Sequence, residues 1–186
     1  MARDLTPKYK RSRREGVELH PDLDRAGTAK SPLTRRRYFP GVHGPKGVWA
    51  KRSNFGIQLR EKQKAKRFYG ILESQFHRYY EESIKSPQNT GEVLMQLLET
   101  RLDSVVYRLG LTLSRSLARQ LVTHGNVLVN GKKIDVPSYA VKPGQVVSVS
   151  PRGAKINFVA EAVKVEARLP GWLSRKDIVG KMERLP

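Results

Sequence analysis

The chain has 186 residues, with 36 Lys and Arg against 17 Asp and Glu, a net charge of +19 and a pI near 10.5. With no cysteine there is no disulfide, thiolate zinc site or cysteine nucleophile, and no apolar run approaches the roughly 18 residues of a membrane span. A charge this large opposes compaction and attracts polyanions, so a soluble, intracellular, polyanion-binding protein is expected, with nucleic acid ahead of an anionic membrane surface as its partner.

Residues 1–67 carry 19 basic and 6 acidic side chains, so about two thirds of the excess charge lies in the first third of the chain. The N-terminus lacks the apolar section of a secretory signal. Turn formers cluster in Thr28–Arg37 ("TAKSPLTRRR") and Pro40–Gly47 ("PGVHGPKG"). Such a segment buries little by itself, which predicts an extended basic arm ordered by its partner. Tyr9, Tyr38, Phe39, His43 and Trp49 are interleaved with the cations, and flat rings beside guanidinium groups suit stacking on unpaired bases.

Apolar spacing predicts a helix from Arg60 to about Ser83, with Phe68, Leu72, Phe76 and Tyr79 on one stripe and Ile71 and Tyr80 beside it. Arg60, Lys62, Lys64, Lys66 and Arg67 then crowd its first turns, where cations oppose the helix dipole and an external anion would offset the cost. Ser86–Gly91 breaks that helix. A second helical stretch starts near Thr90 and runs through Val93, Leu94, Leu97, Leu98, Leu102, Val105, Val106 and Leu109 to a left-handed stop at Gly110.

Ser114 is placed to N-cap a third helix, with Leu117 where a capping box would have a carboxylate. Leu117, Leu121 and Val122 face inward there, Arg115 and Arg119 share another face, and His124 and Gly125 end it. Val127–Ile134 reads as a hairpin whose Asn130-Gly131 pair fits a type I′ turn. Lys142–Ser150 adds a Pro-Gly turn and a strand with Val147 and Val149 on one face. Pro151–Pro186 contains a helical stretch near 160–168 and a turn at Leu169–Trp172.

If the hairpin folds back on the third helix, Arg115 and Arg119 face Lys132 and Lys133 across a groove. The planar fork of Arg binds phosphate bidentately, and Ser114, Gln120, His124 and Asn130 could reach a ribose hydroxyl or a base edge. Any single cation here fits an ordinary solvated face. The cluster together with the arm points to nucleic acid.

"SRSLARQLVTHGNVLVNGKK" (Ser114–Lys133) resembles the helix-loop-strand RNA-binding module named after small-subunit ribosomal protein S-four. "SRREG" (Ser12–Gly16), "PGVHG" (Pro40–Gly44), "QLREKQKAKRFYG" (Gln58–Gly70), "QFHRYY" (Gln75–Tyr80) and "ETRLDSVVYRLG" (Glu99–Gly110) resemble, in order, motifs of the bacterial-type S-four family. The resemblance covers most of residues 1–150. It implies an α+β protein: a mostly helical domain with a basic extended N-terminal arm and an inserted small helix-helix-β module. The expected division is an rRNA-binding arm over 1–55, a helical domain over 56–98 completed by 160–186, and the module over 99–159.

The resemblance further implies a primary rRNA-binding constituent of the small ribosomal subunit. Such a protein grips a junction in the 5′ domain of the rRNA, helps nucleate assembly of the subunit body, and lies near the mRNA entry path. It touches ribosomal protein S-five and other small-subunit proteins at an interface linked to translational accuracy. The RNA-binding set expected on this basis is Arg11, Arg13, Arg14, Gly41, His43, Lys46 and Arg52 in the arm. It continues with Arg60, Lys62, Lys64 and Lys66 at the helix start, and with Ser114, Arg115, Arg119, Gln120, His124, Asn130, Gly131 and Lys132 in the module.

The family's zinc-binding cysteine cluster, present in some members, has no counterpart here, so no metal and no cofactor are expected. Family chains usually continue past the region matching Gly180–Pro186. Residues 17–39 match no motif of the family. A cytoplasmic ribosome is the expected location, with an organellar ribosome left open.

An RNA-modifying enzyme is the strongest rival, because the same module is fused to pseudouridine synthases and methyltransferases. Residues 151–186 are too short for a catalytic domain and show no glycine-rich phosphate loop. His20, His43, His77 and His124 are scattered without metal or nucleophile spacing. Asp103 reads as a helix-surface charge and Asp135 as part of a turn, so an enzyme is not expected. A sequence-neutral nucleoid or membrane-surface protein would leave the module unexplained.

Overall fold

The computed structural model describes residues 6–20, 28–45, 53–165 and 168–186. The chain divides into two compact units, Met1–Phe76 and His77–Pro186. The division falls within a helix, not at the expected limits of 55 and 98.

In the first unit, α1 (Lys8–Glu15) ends at Gly16, whose φ of 70° is left-handed. This helix lies in a segment expected to be extended. Its sequence, KYKRSRRE, offers no apolar period to reveal it. Arg13 and Arg14 occupy its last turn, where cations complement the helix dipole. Ser12 is buried. Its Oγ donates to the Lys8 carbonyl at 3.3 Å and accepts from the Leu19 N–H at 3.4 Å, pinning the chain that follows. A short α2 (Pro32–Arg35) begins behind Ser31, whose Oγ accepts from Leu33 N–H.

The helix expected over 60–83 is two helices. α3 (Asn54–Tyr69) is capped by Ser53, which accepts from Gly56 N–H at 3.2 Å. It stops at Gly70 (φ 63°), with Ile71 N–H returning to the Lys66 carbonyl. α4 (Glu73–Ile84) follows. Because α3 starts at Asn54, Lys66 and Arg67 lie in its last turn, where their charge is favourable. The dipole cost inferred for them disappears. Tyr69, Ile71 and Phe76 are buried, whereas Tyr80 is exposed.

The second unit continues with α5 (Thr90–Glu99), α6 (Leu102–Arg108), α7 (Arg115–Thr123), β1 (Val127–Val129), β2 (Lys132–Lys133) and β3 (Val146–Val149). It closes with α8 (Pro151–Ala154), α9 (Asn157–Lys164), β4 (Leu173–Lys176) and β5 (Val179–Met182). The helical stretch from Thr90 is interrupted at Thr100-Arg101. There residues 137–141 clip onto the chain, with Leu102 N–H on the Tyr139 carbonyl at 2.8 Å and Val141 N–H on the Thr100 carbonyl at 2.9 Å. Asn130 (φ 48°) and Gly131 (φ 79°) form the left-handed pair that a type I′ hairpin requires.

The strands make one antiparallel sheet in the order β2-β1-β3-β5-β4. Leu102, Val105, Val106 and Leu109 of α6, Ala118, Leu121 and Val122 of α7, and Val127, Val129, Val147 and Val149 of the sheet share one core. Leu173 and Met182 complete it. Residues 160–186 were expected to complete the helical domain over 56–98. Instead β5 pairs with β3, Val147 opposite Gly180, and covers an edge that would otherwise be bare. Gly180 lies against Leu109, whose side-chain carbons would overlap any added Cβ. Arg175 donates to the carbonyls of Leu109 (2.8 Å) and Gly110 (3.1 Å), which satisfies acceptors that the end of α6 leaves open.

Candidate nucleic-acid interface

In the second unit, α7 presents its apolar side, Ala118, Leu121 and Val122, to the core, with Leu117 half-buried beside them. Gln120 and His124 are exposed, as are Asn130, Gly131, Lys132 and Lys133 at the hairpin. The hairpin does fold back on the helix: the Lys133 stem lies over Gly125 so closely that a Cβ there would overlap it. The end of α7 and the hairpin tip therefore share one polar, basic surface. Asn130 also braces it, since its amide oxygen accepts from Val146 N–H and its own N–H donates to the Val146 carbonyl, both at 2.8 Å.

Ser114 and Arg115, both expected on the RNA face, are held by partners within the second unit. The Ser114 Oγ is buried and caps α7 by accepting from Leu117 N–H at 3.2 Å. The Arg115 side chain is only 14% exposed, stacks 4.7 Å from the Tyr107 ring centre, and donates to Ser104 Oγ (3.1 Å) and Glu99 (3.3 Å). Glu99 also accepts from Arg108 at 2.6 and 2.9 Å. A carboxylate this buried needs compensating cations, so Arg115 is drawn inward. Arg119 is half-buried, and its carbonyl accepts from Thr123 Oγ at 2.9 Å.

Asp103, expected as a surface charge, is buried and takes both arms of Arg101, at 3.0 and 2.8 Å, while Arg101 also donates to the Tyr79 hydroxyl at 2.9 Å. Burial works to lower the Arg101 pKa, but the bonds to Asp103, helped by Tyr79, hold it above its ordinary value. This pair fixes the start of α6 and has no catalytic geometry.

In the first unit, Arg13 organises the arm. Its guanidinium lies 4.9 Å from the Tyr38 ring centre and donates to the carbonyls of Arg36 (3.3 Å), Tyr38 (3.0 Å) and Phe39 (3.4 Å). Arg11 is buried and Arg14 exposed. Gly41 has a φ of 124°, which only glycine adopts readily, and Gly44 N–H closes the turn on its carbonyl at 3.1 Å. The turn leaves His43 exposed. Lys46, Trp49 and Arg52 lie outside the described residues.

The cations of α3 have acidic neighbours. Arg60 (3.3 Å) and Arg67 both bond the buried Glu15, and Lys62 (2.5 Å) and Lys66 (2.8 Å) both bond Glu73. Hydrogen bonds from Lys62 and Lys66 hold the Glu73 carboxyl down at about 2. Lys64 pairs with Glu61 on the surface at 2.6 Å, an interaction of little energetic weight. The sequence gives little sign of these carboxylate partners: Glu15 is an acid within a basic run, whereas Glu73 and Glu99 sit among apolar and neutral neighbours. Among the described residues no group of His, Asp and Glu could hold a metal ion, and no helix is long and apolar enough to cross a membrane.

Residues 3–99 match the family model described as "Ribosomal protein S4/S9 N-terminal domain", and residues 100–147 the model described as "S4 domain". A "Small ribosomal subunit protein uS4" from Thermoanaerobacter pseudethanolicus is 48% identical over 188 residues, covering 100% of this chain and 90% of that protein. The "Small ribosomal subunit protein uS4A" of Clostridium botulinum is 50% identical over 188 residues, and that of Alkaliphilus oremlandii 48% over 189, with the same coverage.

Proposed function

The chain belongs to the small ribosomal subunit protein uS4 family, and on that premise we propose that it is a primary rRNA-binding protein that helps nucleate assembly of the subunit body. Membership makes it a structural, RNA-binding ribosomal protein and not an enzyme. In the proposed role it grips a junction in the 5′ domain of small-subunit rRNA and works in the cytoplasmic ribosome. There it lies near the mRNA entry path and contacts S-five and other small-subunit proteins to support accurate decoding.

The observation that carries this reading is the surface shared by the end of α7 and the hairpin, where Gln120, His124, Asn130, Gly131, Lys132 and Lys133 are all exposed. Lysines supply phosphate contacts, and the amides and imidazole supply groups able to read a 2′-hydroxyl or an unpaired base. Arg119 flanks this surface. Arg14, His43 and the remaining cations of the arm and of α3, Lys46 and Arg52 included, are proposed as a second RNA-contacting set. In that set Arg11, Arg13 and Gly41 shape the arm that presents the contacts.

The test is binding to transcribed 5′-domain rRNA at moderate salt against excess tRNA and duplex DNA. Binding that survives both competitors is expected. Equal loss to all of them would reduce the interaction to charge alone.

A further inference from the structure

A cleft of about 400 Å³ opens in the first unit, and its lining brings together Tyr9, Lys10 and Arg13 of α1 with Lys30, Arg35 and Arg36 around α2. Among the described residues its lining contains five cations and no acid. Arg13 builds the wall, because its guanidinium is committed to the Arg36, Tyr38 and Phe39 carbonyls. The other four cations are exposed, and no side chain among them hydrogen-bonds or ion-pairs with a described residue. This sets them apart from the α3 cations Arg60, Arg67, Lys62 and Lys66, each of which meets Glu15 or Glu73. Like charges gathered around one concavity repel each other and focus a positive potential into it.

The ligand class follows from charge and size. One phosphodiester carries a single negative charge and would leave most of this cluster uncompensated. Phosphates joined or closely apposed place several charges within the same volume, and they suit both the bidentate fork of Arg and the point charge of Lys. We propose that this cleft is a binding site for a compact polyphosphate group. Two sources share that chemistry: a free pyrophosphate or triphosphate moiety, and the crowded phosphates of an RNA backbone at a tight turn. The second source rests on the rRNA-binding reading above, and the first does not.

The experiment titrates the full chain with tripolyphosphate, and separately with sulfate at matched ionic strength, following the amide resonances of Lys30 and Gly41. Saturable binding is expected for tripolyphosphate at concentrations well below those at which sulfate acts. The variant K10Q/R35Q/R36Q should weaken it by roughly tenfold or more, the loss of one or more charge-assisted bonds. A charge-matched control, K85Q/K142Q/K176Q, should leave it unchanged.

Equal responses to both anions, or equal loss in both variants, would overturn the site. Displacement of tripolyphosphate by 5′-domain rRNA would assign the cleft to the RNA backbone, and its retention would assign the cleft to a free ligand. If rRNA binds wild type and K10Q/R35Q/R36Q alike while tripolyphosphate fails, the cleft proposal falls and the rRNA reading stands. If tripolyphosphate saturates and rRNA fails, the reverse holds.

Discussion

Arg115 and Glu99, 16 residues apart in the chain, meet at 3.3 Å in the interior of the second unit, with the guanidinium stacked on Tyr107. This cation therefore belongs to the folded core of the module. Arg115→Gln is expected to lower unfolding stability by about 1–3 kcal/mol, the cost of leaving buried partners unsatisfied. Urea unfolding measures this. rRNA affinity should stay within a few-fold when read well below the unfolding midpoint, and a large affinity loss at unchanged stability would return Arg115 to the RNA face.

Lys132 is the reverse case, exposed at the hairpin tip with no role in the core. Lys132→Gln should leave the thermal midpoint unchanged and weaken rRNA binding. The slope of log affinity against log salt should flatten by about 0.7–0.9, the contribution of one phosphate contact. An unaltered slope would remove Lys132 from the interface.

Leu121 is 1% exposed in the core under the proposed surface. Leu121→Ala should cost about 2–5 kcal/mol through lost burial and a cavity. Chemical denaturation gives the value, and a change below about 1 kcal/mol would mean that the core around α7 collapses to fill the gap.

Gly180 tests the placement of β5. An added methyl would overlap Leu109, so Gly180→Ala should destabilise the second unit by about 1–3 kcal/mol through overpacking. A neutral result would mean that β5 does not sit on the α6 end of the core.

The Glu73 pKa of about 2 lies below its ordinary 4.5 because Lys62 and Lys66 donate to the carboxylate. A depressed folded-state pKa stabilises above the unfolded value and is lost as protons bind. The contribution is thus full above about pH 4.5 and drains away toward pH 2. Half-exposed groups are screened, so it amounts to less than about 1 kcal/mol. The stability gap between wild type and Glu73→Gln should be present near neutral pH and close across that acid window. A gap independent of pH would point to packing instead of charge.

Local chemistry was legible in the sequence wherever one residue type forces one geometry. Ser114 as a cap, Asn130-Gly131 as the turn, and Gly110 as a left-handed stop (φ 67°) all follow from backbone rules. The class, α+β, is what the family resemblance implies. What was hidden depends on distant partners. Arg115 and Arg119 look alike at helical spacing, and nothing in that spacing shows that Arg115 pairs with the distant Glu99. α1 was invisible because it lacks an apolar face, and Arg13 fixes its surroundings through backbone carbonyls, which leave no trace in side-chain patterns. The split at Gly70 leaves no mark in the apolar stripe, which continues in register across it.

The strand order has a consequence for how the protein is made. β3 is flanked on one side by β1, which precedes it, and on the other by β5, formed by Val179–Met182. On a translating ribosome the chain emerges from its N-terminus, so one edge of β3 stays uncovered until these late residues appear. During that interval the core also lacks Leu173 and Met182, and an open edge beside an incomplete core is a template for pairing with other chains. A nascent chain stalled before β5 would be prone to aggregate even though every residue of the surface proposed to bind rRNA had already been synthesised.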